Sequence, residues 1–186
     1  MSAVEHAVRS FLAGDEEAFE TLVRHSERRI YNLALKFLGN REDAQDVVQE
    51  TFLSAYRSLP SLRDPKSFPT WLYRIALNHC RGRWRSDPGE CSLDESFGTE
   101  NPARELAHGA EPVADARDRI ETVDLIRKAL MNLSEEHRMA IVLKEYMGLS
   151  LEELAAVMDC PLSTAKSRLY HGLRGVQRNL KRLKLR

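Results

Sequence analysis

The strongest chemical signal in this sequence is a stretch that reads as two short helices joined by a turn. Ser150 and Glu153 have the spacing of a capping box, so a helix should begin at Leu151. The tripeptide Asp159-Cys160-Pro161 should end that helix, because proline cannot continue a helix and disfavours the α conformation in the residue before it. A second apolar stripe then predicts another helix, with Leu162, Ala165, Leu169, Leu173 and Val176 facing inward.

Two short helices with a turn of this length match the helix-turn-helix, whose second helix enters the major groove of DNA. Between Leu162 and Arg186 there are eight Lys and Arg residues and no Asp or Glu, in a chain of formal net charge zero. On pattern alone, a helical hairpin with a solvated basic face is the alternative. We predict that Arg174 meets phosphate and that five residues nearer the helix start face base edges, namely Thr164, Lys166, Ser167, Arg168 and His171.

A second basic stretch, from Arg63 to Arg85, carries six Lys and Arg residues and one acidic residue, with aromatic side chains between them. A loop with two prolines should cover residues 62–69, and a helix should begin near Thr70. Aromatic rings can stack on unpaired bases while guanidinium groups hold phosphates. The rings can equally belong to a core with the arginines only solubilising the helix, and the sequence leaves the two interpretations even.

Three acidic residues, Asp43, Asp46 and Glu50, recur at helical spacing on one face of a helix predicted over about residues 42–59. Their periodicity alone favours a solvated face over a binding surface. The apolar residues of the same helix fall on another face and should pack inward.

Length and composition favour two small domains rather than one large one, since 186 residues with 42% hydrophobic content can bury two modest cores. From Asp87 to Asp115 there are eight acidic residues and one arginine, with scattered Pro and Gly and no apolar period. Such a segment buries too little apolar surface to offset its ordering entropy. We therefore predict an all-α protein of two small helical domains, 1–86 and 117–186, joined by a flexible acidic linker at 87–116, with a helix-turn-helix in the second.

Several classes of protein are disfavoured by what the sequence lacks. It has no apolar run of the ~20 residues that span a bilayer and no signal peptide, so we expect a cytoplasmic protein without membrane insertion. Cys80, Cys91 and Cys160 have neither paired nor metal-ligand spacing. With no phosphate-binding glycine loop and no nucleophile-base arrangement, we expect a non-enzyme with no catalytic residues, no metal and no cofactor.

Four stretches carry a family resemblance: DAQDVVQETFLSAYRSL, FPTWLYRIALNHCRGRW, LSEEHRMAIVLKEYMGLSLEELAAVMDCP and STAKSRLYHGLR. In this order, with the acidic linker between the second and third, they resemble an RNA polymerase sigma factor of the extracytoplasmic function type, group 4 of the sigma-70 family. The resemblance implies a protein that binds core RNA polymerase and directs promoter recognition, DNA opening and transcription initiation at a stress or envelope-response regulon. The alternative is a helix-turn-helix regulator that works without polymerase, against which only the N-terminal motifs argue.

The resemblance also implies roles for individual residues. The surface that docks on the clamp helices of the largest polymerase subunit would comprise Asp43, Asp46, Gln49 and Glu50. The −10 element would meet Arg63, Lys66, Phe68, Trp71, Tyr73, Arg74, Asn78 and Arg81. The −35 element would meet Ser163, Thr164, Lys166, Ser167, Arg168, Tyr170, His171 and Arg174.

Further partners follow from the same resemblance. The C-terminal domain would contact the polymerase flap, the linker would thread the catalytic cleft and RNA exit path, and an anti-sigma factor would hold both domains. Two departures bear on the preferred −35 sequence: this chain has Ser163-Thr164-Ala165 where the family commonly shows Gly-Thr-Val, and His171 where Arg is frequent.

Overall fold

The computed structural model describes residues 2–86 and 116–184, and these residues form helices without a strand among them. In chain order the α-helices are α1 Ala3–Leu12, α2 Ala18–Leu38, α3 Arg41–Ser58, α4 Phe68–Ser86, α5 Ala116–Met131, α6 Glu135–Ile141, α7 Leu151–Met158 and α8 Leu162–Lys184. The predicted all-α class is thereby confirmed. Residues 87–115 of the predicted linker lie outside the described residues. In the described part of the chain, no helix is long and apolar enough to cross a membrane.

The described residues fall into two compact units. The described residues of Met1–Ala34 and Arg41–Gly89 make one unit, and those of Leu35–Asn40 and Glu90–Arg186 make the other. Below they are called the first and second unit.

The core of the first unit lies where α3 packs along α4. Ala44, Val47 and Ala55 of α3 are fully buried, as are Ala76 and Cys80 of α4. Burial raises the pKa of the Cys80 thiol, so this cysteine is a small packing residue and not a reactive thiolate. The small residues allow the two helices to approach closely, which positions the polar side chains on their outer edges.

The helix α4 begins at Phe68, two residues before the predicted start at Thr70. Two 3-10 turns, Leu59–Ser61 and Pro65–Ser67, precede it, and Asp64 caps the second by accepting a hydrogen bond from the Lys66 amide at 3.0 Å. The prediction of a loop through residue 69 was wrong because Pro69 fits in the first turn of a helix, where the amide hydrogen has no helical partner.

In the second unit, α7, the turn and α8 form the predicted helix-turn-helix. The Ser150 hydroxyl accepts from the Glu153 amide at 3.1 Å, and the Glu153 carboxylate accepts from the Ser150 amide at 2.7 Å, which completes the capping box. Asp159 ends α7 in the left-handed conformation with φ of 51°. This residue turns the chain so that α8 can begin at Leu162.

Close approach of α8 to its neighbours depends on two glycines. A Cβ atom on Gly172 would lie 2.9 Å from the His137 carbonyl oxygen, and one on Gly175 would lie 2.5 Å from the Leu133 side chain. The buried side of α8 therefore includes these glycines and Ala165. The prediction that Leu173 faces inward was wrong: it is 45% exposed, because the glycine beside it occupies the inward position.

A buried arginine organises the other side of the second unit. Arg138 of α6 is fully buried, and its guanidinium group donates to the carbonyl oxygens of Phe37 at 2.9 Å, Met131 at 3.2 Å and Leu133 at 3.3 Å. These acceptors offset the cost of removing the charge from water. Helical periodicity did not predict this arginine as a core residue.

Candidate polymerase and nucleic-acid interfaces

The four residues predicted to bind polymerase share one side of α3. Asp46 and Gln49 are exposed, while Asp43 and Glu50 are half-buried along the edge that borders α4. We call these four residues the acidic face of α3. A groove of about 490 Å³ between α2 and α3 adjoins the acidic face, and Gln49 forms part of its wall.

Arg83 of α4 contacts all three carboxylates of the acidic face. One terminal nitrogen, Nη1, lies 3.0 Å from Asp43 Oδ1 and 2.9 Å from Asp46 Oδ2. The other, Nη2, lies 3.1 Å from Glu50 Oε1. Partial burial alone would lower the pKa of Arg83, but its hydrogen bonds to Asp43 and Glu50 and the nearby carboxylate charges raise that pKa above its usual value. The acids are therefore ordered and partly neutralised, which periodicity alone did not suggest.

His79, one helical turn before Arg83, extends this network. Its Nδ1 lies 3.2 Å from Glu50 Oε2, and its Nε2 lies 3.0 Å from the Ser54 hydroxyl oxygen. Glu50 is thus held at both oxygens. We call Arg83, His79 and the three carboxylates the Arg83 network. The available signal in the sequence was two basic side chains four residues apart in one helix and acids at matching spacing in another.

Leu53 is a candidate interface residue that the sequence reasoning missed. Its side chain is 59% exposed, and it lies one helical turn after Gln49 on the solvent side of α3. An exposed leucine ringed by polar groups is the arrangement of an interface anchor with a polar rim. The sequence contained a signal for this residue, because Leu53 is an apolar residue that falls outside the apolar stripe of its own helix.

The residues predicted for the −10 element separate into exposed and buried groups. Arg63, Lys66, Arg74 and Asn78 are exposed, and Trp71 and Arg81 are half-buried. Phe68 and Tyr73 are only 1% and 7% exposed. The two buried rings are packing residues in this structure, and their contact with an unpaired base stays a prediction.

The residues predicted for the −35 element form a broad exposed surface on α8. Those exposed are Ser163, Lys166, Ser167, Tyr170, His171 and Arg174, while Thr164 and Arg168 are half-buried. Tyr170 is 55% exposed, and the Arg174 guanidinium carbon lies 5.0 Å from the centre of its ring, within cation–π range. The exposed side of α8 therefore offers cations, hydroxyls and one aromatic ring together.

Arg168, another member of this set, forms an ion pair inside the protein. Its Nη2 lies 2.7 Å from Glu136 Oε1 on α6, and its side chain is 21% exposed. To contact a base edge, Arg168 would have to leave this pair, so its role as a base reader stays a prediction.

Among residues 2–86 and 116–184, no group of three His, Cys, Asp or Glu side chains could hold a metal ion.

Comparison with known protein families accounts for both units. The model of sigma-70 region 2 matches residues 22–87, and the model of sigma-70 region 4 matches residues 124–174. The RNA polymerase sigma-H factor of Pseudomonas aeruginosa is 36% identical over 176 residues, which cover 91% of this chain and 90% of that protein. The chain belongs to the sigma-70 family.

One further relative refines the assignment of this sigma factor, and one solved structure shares its fold. The ECF RNA polymerase sigma-E factor of Escherichia coli strain K12 is 33% identical over 177 residues, covering 91% of this chain and 90% of that one. The structure of the sigma factor RpoE with the anti-sigma factor NepR from Bartonella quintana has the same fold, with a TM-score of 0.62 and 24% identity over 88% of this chain and 96% of that chain.

These similarities confirm the family predicted from the four sequence motifs. The protein is an ECF-type sigma factor, which binds core RNA polymerase and promoter DNA and directs transcription initiation. The similarities to sigma factors exclude the alternative of a regulator that works without polymerase. Sigma factors are initiation factors without enzymatic activity, so the protein is not an enzyme.

Proposed function

We propose that this sigma factor docks on the clamp helices of the largest polymerase subunit through the acidic face of α3, with Leu53 at its centre. The observation that carries the proposal is the 59% exposure of Leu53 on the side of α3 that also presents Asp46 and Gln49. Burying a leucine from water contributes about 1.5–3 kcal/mol to association, and the surrounding carboxylates would select a basic partner surface.

The proposed division of labour follows the two predicted domains. Residues 1–86 would dock on polymerase and open the −10 element, for which Arg74 and Asn78 are exposed on α4. Residues 117–186 would read the −35 element through α8 and contact the polymerase flap. The linker at 87–116 would connect the two along the polymerase.

The docking proposal is tested with Leu53→Lys, measured as affinity of the full chain for core RNA polymerase. We expect at least a tenfold loss, because the substitution removes the apolar anchor and adds a charge of the wrong sign. The thermal unfolding of the variant should stay close to that of wild type, since exposed helix positions contribute little to stability.

Thr21→Lys is the matched control, because Thr21 is also exposed on a helix of the first unit but lies on α2. It should bind polymerase as wild type does. If Leu53→Lys also binds as wild type does, α3 is not the docking surface.

We further propose an anti-sigma factor as a partner, a cytoplasmic location and a stress or envelope-response regulon. The support is similarity to ECF sigma factors and the shared fold with a sigma factor solved with its anti-sigma factor. An anti-sigma factor that covers the acidic face of α3 should compete with core polymerase. A protein that co-purifies from the native host and does not compete would count against this use of α3.

A further inference from the structure

We propose that Arg83 is a positioning residue for polymerase docking, holding the carboxylates of α3 in one ordered array that the polymerase then binds. The proposal rests on the docking function proposed for α3. Arg83 itself lies on α4 and is 29% exposed at its side chain, so it acts through the acids that it touches.

The contact geometry suits a positioning role. The planar guanidinium group has its donors in a rigid fork, and here two nitrogens reach three carboxylates within 2.9 to 3.1 Å. Each ion pair uses one oxygen of its carboxylate: Asp43 Oδ1, Asp46 Oδ2 and Glu50 Oε1. A carboxylate can accept about four hydrogen bonds, so binding Arg83 does not exhaust the acids.

Exposure indicates which carboxylate of α3 is most accessible to a partner. The side chains of Asp43, Asp46 and Glu50 are 36%, 51% and 44% exposed while bound to Arg83. Glu50 is also held at its second oxygen by His79. Asp46 is therefore the carboxylate with the largest exposed fraction, on the same side of α3 as Leu53.

Charge repulsion explains why the acids need a positioning residue. Asp43, Asp46 and Glu50 are three and four residues apart, the spacings at which like charges on a helix destabilise one another. Arg83 offsets that repulsion and restricts the side chains to one arrangement before a partner arrives. Ordering that occurs before binding does not have to be supplied during binding, which raises affinity.

This proposal predicts the opposite of a simple charge argument. If only net charge mattered, removing a cation from an acidic docking surface would strengthen its binding to a basic partner. If Arg83 positions the acids, removing it should weaken binding although the surface becomes more negative. The direction of the change in affinity therefore distinguishes positioning by Arg83 from an effect of net charge.

The first measurement is the affinity of full-length Arg83→Gln for core RNA polymerase, well below the unfolding temperature of the variant. We expect roughly five- to tenfold weaker binding. Arg83→Lys should recover part of the loss, because an ammonium group keeps the charge but lacks the fork. Unchanged or tighter binding by Arg83→Gln would overturn the proposal.

Arg29→Gln is the charge control, since it removes a cation from an exposed position on α2. It should leave the affinity for polymerase unchanged. An equal loss in this control would show that removing a cation elsewhere in the first unit weakens binding just as much, and the positioning role would be withdrawn.

A double-mutant cycle separates positioning from a general loss of structure. In the Asp46→Asn background, Arg83→Gln should weaken binding by no more than about twofold, because the main acid that Arg83 positions is already gone. Losses that multiply independently would overturn the proposal. If Leu53→Lys leaves binding intact, the docking function itself fails. If Leu53→Lys and Asp46→Asn weaken binding and Arg83→Gln does not, only the role of Arg83 fails.

Discussion

The helices α4 and α8 are both basic and both carry aromatic residues that were predicted to meet DNA, yet they present these residues differently. On α4, the rings of Phe68 and Tyr73 are buried. On α8, the ring of Tyr170 is exposed and stacked under Arg174. Aromatic residues among arginines are thus compatible with a helix whose rings are packed in a core as well as with a helix whose rings are exposed. The elements packed against each helix decide which of its rings are buried.

The polar residues of the two helices show the same contrast. On α4, Arg83 and His79 turn to the carboxylates of α3, while Arg74 and Asn78 are exposed. On α8, Arg168 forms an ion pair with Glu136 of α6, while Lys166 and Arg174 are exposed. A basic helix can therefore divide its side chains between internal ion pairs and a surface for nucleic acid, and only the latter should govern promoter choice.

The largest difference between the helices should appear when an aromatic side chain is removed. Phe68→Ala should lower the free energy of unfolding by about 3–5 kcal/mol, because it leaves a cavity in the core. Tyr170→Ala should change it by no more than about 0.5 kcal/mol, since the ring is exposed. Chemical denaturation of both variants checks this. A small effect of Phe68→Ala would show that its ring is available for another role.

Replacing one glycine on each helix with alanine should change the stability of the protein in opposite directions. Gly172→Ala on α8 should destabilise the protein by roughly 1–3 kcal/mol, because its Cβ would press on the His137 carbonyl oxygen. Gly82→Ala on α4 should stabilise it by roughly 0.5–1 kcal/mol, because the new Cβ would meet no atom of a packed neighbour within 4 Å and alanine favours the helix. Thermal unfolding of the two variants against wild type measures both, and a shift of the same sign would contradict the packing described for α8.

On the exposed side of α4, Asn78→Ala should weaken selection at one unpaired position of the −10 element. An amide can read a base edge that a methyl group cannot, and such a contact is worth roughly 1–3 kcal/mol of discrimination. Open-complex formation on single-base promoter variants, followed by permanganate footprinting, is the measurement. Affinity for core polymerase serves as the internal control and should not change. Equal selection by variant and wild type would remove Asn78 from the site.

On α8, the smallest effect should be a change in salt dependence. Arg174→Ala should weaken binding to all promoters alike and reduce the slope of log affinity against log salt by about one, as expected for a phosphate contact. Lys166→Ala should instead relax preference at particular −35 positions. Titrations of the polymerase holoenzyme on −35 variants at several salt concentrations distinguish the two. If both variants lose affinity uniformly, α8 binds DNA without reading its sequence.

Local signals in the sequence were sufficient for the helix-turn-helix and for the family. The Ser150 and Glu153 capping box and the break at Pro161 act within one or two helical turns, so their outcome does not depend on distant residues. The four motifs predicted the family because they occur together in order. Domain boundaries and the assignment of individual site residues stay predictions.

Tertiary structure decided which side of each helix is available. Periodicity identifies an apolar stripe, but it does not reveal that Arg83 lies against acids 33 to 40 residues earlier in the chain. It does not reveal that glycine rather than Leu173 fills the inward position on α8. Such contacts depend on the distance between packed helices, and that distance is set by side chains from both partners at once.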